Sequence, residues 1–140
     1  MALIEGMAEK DATGLAKKVF EEMKAARGWD EVPLIWRVMA KKPEYLKANW
    51  DRYKAIMMGG MLEPKVKEMI ALAVSMVNRC SYCIDSHSFA LRQMGMTDEE
   101  LLEMVAVIDF FSGTNAFSSG LKVEFQWPQG LGPTHPGVDS

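Results

Sequence analysis

From Asp11 to about Ser119 the apolar residues return at helical spacing, and proline or glycine punctuates nearly every run. Leu15, Val19, Met23 and Ala26 line one side of residues 11–27 with Phe20 beside them, and Gly28 supplies a stop. Ile35, Val38 and Met39 share a face of residues 32–41. Pro43 opens the next helix, which carries Leu46, Trp50, Tyr53, Ile56 and Met57 to about Met58 before Gly59-Gly60. Glu63-Pro64 opens a strongly apolar helix through about Val77. Its Met69, Ile70, Ala73, Val74, Met76 and Val77 cover more than half the circumference, which predicts a place near the centre of the fold.

Asn78-Arg79 reads as a turn, and the following helix runs from about Ser81 to Met94, closed by Gly95. Thr97 and Glu100 form a capping box, with Met96 and Leu101 as its hydrophobic staple, and that helix continues to about Ser119. No stretch alternates with a period of two. The expected class is all-α, a helical bundle with a central antiparallel helix pair. Residues 1–125 are expected to form one domain. Residues 126–140, with Pro128, Pro133, Pro136 and His135, read as a Pro/Gly-rich tail.

Bulk properties narrow the function. A chain of 140 residues can bury one core. A net charge of -3 with no basic stripe argues against a nucleic-acid partner. The first residues lack the basic and apolar regions of a signal peptide, and no apolar run approaches the roughly 20 residues of a membrane span. The expected location is the cytoplasm, with no membrane partner. In a reducing compartment a close cysteine pair points to catalysis, redox chemistry or metal binding rather than to a structural staple.

Cys80 and Cys83 are the only two cysteines, and His87 follows four residues after the second. Two thiols on the first turn of a helix can close a disulfide, and the helix N-terminus favours their thiolates. Folding the chain back at Asn78-Arg79 brings Glu68 to the height of His87 on the neighbouring helix. His87 lies one turn from Cys83. The residues thus propose a line from Glu68 to His87 to Cys83, with Cys80 across the pair. A carboxylate on an apolar helix face needs a partner, and beside an imidazole it supports proton removal from a thiol. Asp85 projects from another side of the helix. Three rival readings stay open: an idle buried pair, a zinc site of Cys80, Cys83, His87 and Glu68, and a non-enzymatic redox switch or interaction module.

The stretch from Glu68 through Cys80-Ser81-Tyr82-Cys83 to His87 resembles the AhpD (alkylhydroperoxidase D) branch of the carboxymuconolactone decarboxylase superfamily. That branch carries a Glu twelve residues before a Cys-x-x-Cys and a His four residues after it, and all these spacings recur here. The resemblance is sharp over 63–121. It implies an AhpD-like helical fold and a homo-oligomer, a trimer or hexamer. It also implies a dithiol that reduces a peroxide directly or reduces a peroxiredoxin partner, and whose disulfide a thiol reductant restores. Carried over, Cys80 and Cys83 are the redox pair, and Glu68 and His87 the proton relay. No cofactor or metal is implied. One departure is Tyr82, which stands where the family's histidine lies between the cysteines; a phenol is no proton acceptor near neutral pH. The decarboxylase branch lacks the cysteine pair as its working element, so lactone decarboxylation is not assigned.

Other residues receive plainer readings. Tyr82 packs over the site or meets a partner. The 12 methionines and Trp36 and Trp50 are core filling or subunit contacts. Gly113-Thr114-Asn115 interrupts an apolar helix, where the glycine would admit close helix packing and Asn115 would either offer an amide to the site or lie on the surface.

Overall fold

The structure, a computed structural model, describes residues 2–126. Apart from Gln126, the expected tail, His135 included, lies outside the described residues. Among the described residues the chain is helical with no strand. Six α-helices follow a short 3-10 turn at Glu9–Asp11: α1 Gly14–Arg27, α2 Leu34–Met39, α3 Pro43–Met57, α4 Pro64–Val77, α5 Ser81–Gln93 and α6 Asp98–Gly120. They group into two compact units that divide between Lys67 and Glu68.

The first unit is built on α1 and α3. The expected stripe of α1 is only partly the buried one: Ala16, Val19, Phe20 and Met23 face inward, while Leu15 is exposed. Gly28 closes α1 in the left-handed conformation at φ 66°, donating its amide to the Lys24 carbonyl. Pro43 occupies the start of α3, where its missing N–H costs no hydrogen bond. Leu46 and Trp50 of α3 are fully buried in the cluster with Val19, Met23 and Val32. Trp36 meets Trp50 edge-on at 5.9 Å, and Tyr53 stacks on Trp50 at 5.5 Å. Such ring pairs contribute about 0.5–1.5 kcal/mol beyond the area they bury. The two tryptophans are therefore core. Lys67 donates to the Ile56 and Gly59 carbonyls and so satisfies the end of α3.

Glu9 ties the 3-10 turn to the rest of this unit. Its carboxylate accepts from Lys24 Nζ at 2.9 Å and from the Val32 amide at 2.6 Å.

The second unit contains α4 from Glu68 onward, α5 and α6. Leu72, Leu91, Met96 and Met104 form its core, with Met69, Met76 and Ile84 packed against them. The α5–α6 connection is held by a capping box. The Glu100 amide donates to Thr97 Oγ1 at 3.1 Å, and the Thr97 amide donates to Glu100 Oε2 at 2.8 Å. Met96 and Leu101 join the same apolar cluster, as a staple would.

Two expectations fail in this unit. Ile70, Val74 and Val77 of α4 are half or more exposed, so the broad apolar face of this helix is not enclosed within the chain. Gly113 does not interrupt α6, and nothing lies within 4 Å of where its Cβ would stand. A glycine in a helix interior is tolerated when neighbouring residues propagate the hydrogen-bond ladder. No described helix is long and apolar enough to cross a membrane.

Lys24 first, and then the Val32 amide, hold the Glu9 carboxyl below its ordinary pKa. A pKa lowered in the folded state contributes stability that is present above the unfolded value and is lost as pH falls through the folded one. Glu9→Ala strands the amide of fully buried Val32 and is expected to cost about 1–3 kcal/mol at pH 7. Urea titrations should show the gap between the proteins narrowing near pH 3. A gap of equal size at both pH values contradicts this assignment.

Candidate functional site

The two cysteines owe their positions to a paired helix end and helix start. At the end of α4 the Cys80 amide donates to the Ser75 carbonyl at 3.0 Å and the Arg79 amide donates to that of Met76 at 3.1 Å. This is the Schellman pattern, and it requires a left-handed residue at its turn. Arg79 supplies it, at φ 58°, in a place that glycine or asparagine usually fills. The chain reverses there and α5 begins at once. Cys80 is the N-cap of α5, and its sulfur accepts the Cys83 amide at 3.3 Å.

Cys80 and Cys83 are joined by a disulfide, with their Cα atoms 5.3 Å apart. That separation lies in the ordinary range for a bridged pair, so the backbone is already set for the bond. Both sulfurs sit at the start of α5, where unpaired amides and the helix dipole favour negative charge on either when reduced.

One turn further along α5, His87 Nδ1 lies 2.7 Å from Glu68 Oε2. Glu68 is 4% exposed, one of two buried polar side chains among the described residues. An ionised carboxylate only accepts, so Nδ1 is the donor in this contact. The other buried polar residue, Ser75, returns its hydroxyl to the Ala71 carbonyl at 2.6 Å while its own carbonyl holds the Cys80 amide.

The structure therefore brings Glu68 to His87 and Cys80 to Cys83. His87 stands on the helix face one turn from Cys83. Tyr82 is 40% exposed on the first turn of α5, between the two cysteines. Asn115 lies exposed on α6 and, among the described residues, makes no side-chain hydrogen bond to any of the four. Two features escaped the sequence reading. The N-capping sulfur has no motif of its own, because cysteine is not a usual cap. The turn at Asn78-Arg79 is readable, but not that Arg79 is its left-handed residue, because asparagine is the residue type that favours that conformation.

The carboxymuconolactone decarboxylase family pattern matches residues 43–123. An alkyl hydroperoxide reductase of Mycobacterium tuberculosis is 30% identical over 95 residues, 68% of this chain and 27% of that protein. The alkyl hydroperoxide reductase AhpD of Mycobacteroides abscessus is 39% identical over 46 residues, 33% of this chain and 26% of that protein. The chain thus spans about a quarter of the length of these two relatives. The crystal structure of the alkylhydroperoxidase AhpD core from Rhodospirillum rubrum matches with a TM-score of 0.85 and 39% identity. That match covers 90% of this chain and 95% of the other. The family pattern takes in more than half of the sequence and the solved fold nearly all of it: the chain belongs to the carboxymuconolactone decarboxylase family, as an AhpD-like member.

Proposed function

We propose that this protein is a thiol-dependent peroxidase in which Cys80 and Cys83 are the redox pair and Glu68 and His87 the proton relay. The observation that carries the reading is the 2.7 Å contact between Glu68 and His87, one helical turn from a cysteine already paired with its neighbour. In the dithiol state, His87 takes the Cys83 proton at Nε2, and Glu68 holds the imidazole in the tautomer that leaves Nε2 open. One thiolate attacks a peroxide oxygen. The O–O bond breaks, the alkoxide leaves and is protonated to the alcohol, and that cysteine becomes a sulfenic acid. The second thiolate attacks the sulfenic sulfur, expels hydroxide that is protonated to water, and closes the Cys80–Cys83 disulfide. Two thiols and ROOH thus give one disulfide, ROH and water.

A thiol reductant restores the dithiol by exchange through a mixed disulfide. The same dithiol can instead reduce the disulfide of a peroxiredoxin partner. The cytoplasm, as a reducing compartment, suits either cycle. The names of the two curated relatives support a hydroperoxide as substrate. The match to the AhpD core, over 90% of this chain and 95% of the other, supports treating residues 1–125 as one functional domain. Phe110 and Phe117 of α6 and Leu121 just after it are each about two-thirds exposed, and this apolar surface supports a homo-oligomer, a trimer or hexamer. Sedimentation equilibrium should find at least three chains per particle; a monomer at micromolar concentration argues against it.

Replacing Cys80 or Cys83 by Ser should abolish steady-state reduction of cumene hydroperoxide with a dithiol reductant, with the helical circular dichroism spectrum kept. Turnover that survives in both variants rules the reading out. A disulfide that forms in the wild type without turnover favours the redox-switch reading instead.

A further inference from the structure

The second unit carries a cleft of about 380 Å³ that the reaction described above does not use, lined in part by Arg79, the residue before Cys80. Half-buried Met76, Val105 and Ile108 line it, with Val77 at its edge. Its polar lining residues, Arg79, Asp109 and Ser112, are all exposed. The volume falls in the range of about 300–1,000 Å³ found for small-molecule sites. Apolar walls with a few polar groups at the rim suit an amphiphile, a molecule with an apolar chain and one polar head.

Arg79 identifies the head. It is covalently bonded to Cys80, and its backbone is pinned by the hydrogen bonds that end α4. Its left-handed φ of 58° is a conformation that a side chain disfavours and glycine accepts freely. Arginine nevertheless occupies this place and lines the cleft. Among the described residues Arg79 makes no ion pair, although Asp109 lines the same cleft. A guanidinium that is not already engaged presents its donors in a fork that fits a carboxylate.

We propose that this cleft binds apolar-chain carboxylates, with the chain against Met76, Val105 and Ile108 and the carboxylate on Arg79. Resting on the thiol peroxidase reading, it follows that the redox pair prefers hydroperoxides that bear a carboxylate over neutral ones. Arg79 is then a specificity-determining residue that acts on the substrate's head group, and the thiol chemistry remains that of Cys80 and Cys83. Asp109 works against the same ligand, since its negative charge faces the cleft that the anion enters.

The test separates binding from turnover. Isothermal titration of the full chain with octanoate, and with 1-octanol as its neutral analogue, reads the cleft alone. Arg79→Asn removes the charge while asparagine still accepts the left-handed turn, so the fold is preserved. It should weaken octanoate binding about five- to tenfold, the value of one partly exposed ion pair with hydrogen bonds, and leave 1-octanol unchanged. Asp109→Asn should tighten octanoate binding, and Arg79→Lys should restore part of what Arg79→Asn loses. Equal octanoate affinity in wild type and Arg79→Asn, or wild-type binding of 1-octanol as tight as that of octanoate, overturns the proposal.

Turnover is then compared for a fatty-acid hydroperoxide and its methyl ester. The wild type should favour the acid in kcat/KM, and Arg79→Asn should lose the acid's advantage with the ester rate unchanged. A uniform fall for both substrates would mean that Arg79 acts on the thiols, and it overturns the substrate assignment. If Arg79-dependent octanoate binding holds but no hydroperoxide is reduced, the cleft stands and the peroxidase reading falls. If hydroperoxides are reduced without any acid preference, the peroxidase reading stands and the substrate assignment falls.

Discussion

A carboxylate on an otherwise apolar helix needs a partner, and Glu68 finds its partner in His87. Glu68 is 4% exposed, and its hydrogen bond to His87 Nδ1 is 2.7 Å long. Leaving a buried carboxylate without its hydrogen-bond partner costs about 1–3 kcal/mol, and more when the group is charged, because it stays desolvated. The pair therefore fixes the register of α4 against α5 as well as the orientation of the imidazole. Structure and the proposed chemistry make the same demand here, because the contact that satisfies the buried carboxylate also orients the imidazole.

The sulfurs depend on this hairpin. A Schellman turn ends α4, and its final donor is the Cys80 amide. The same residue caps α5 with its side chain. No residue separates the two helix ends beyond those the turn itself needs, so the first turn of α5 is held by hydrogen bonds from both helices. Cys83 and His87 follow on the same face as a matter of helical period. Leu72, Leu91, Met96 and Met104 then hold the hairpin with α6 in one apolar core.

Much of this was legible in the sequence for identifiable reasons. Pro43, Pro64, Gly28 and Gly95 mark helix ends through backbone constraints that act locally, and the Thr97–Glu100 box is a local hydrogen-bond pair. The Glu68–His87 contact was readable because a short turn and a helical rise fix which residues stand level. What could not be read depends on what surrounds a residue. The apolar face of α4 reads as interior by period alone, yet Ile70, Val74 and Val77 are exposed in the chain. Periodicity says that a face seeks cover and not what covers it. Gly113 was read as a packing notch, and it has no neighbour to admit. The turn at Asn78-Arg79 is legible, but not that Arg79 rather than Asn78 takes the left-handed conformation, which the hydrogen bonds around it impose.

The central claim is that Glu68 acts through His87 on the cysteine pair. A double-mutant cycle on the single-turnover oxidation rate of the pair tests it, using the wild type, Glu68→Gln, His87→Gln and the double variant with stoichiometric hydroperoxide. General-base assistance is worth about 10²–10⁴-fold, so each single variant should slow disulfide formation by at least about a hundredfold. In the double variant the losses should not add: with His87 replaced, the change at Glu68 should cost almost nothing more. Losses that multiply through the cycle, or single variants that oxidise at the wild-type rate, would contradict the relay.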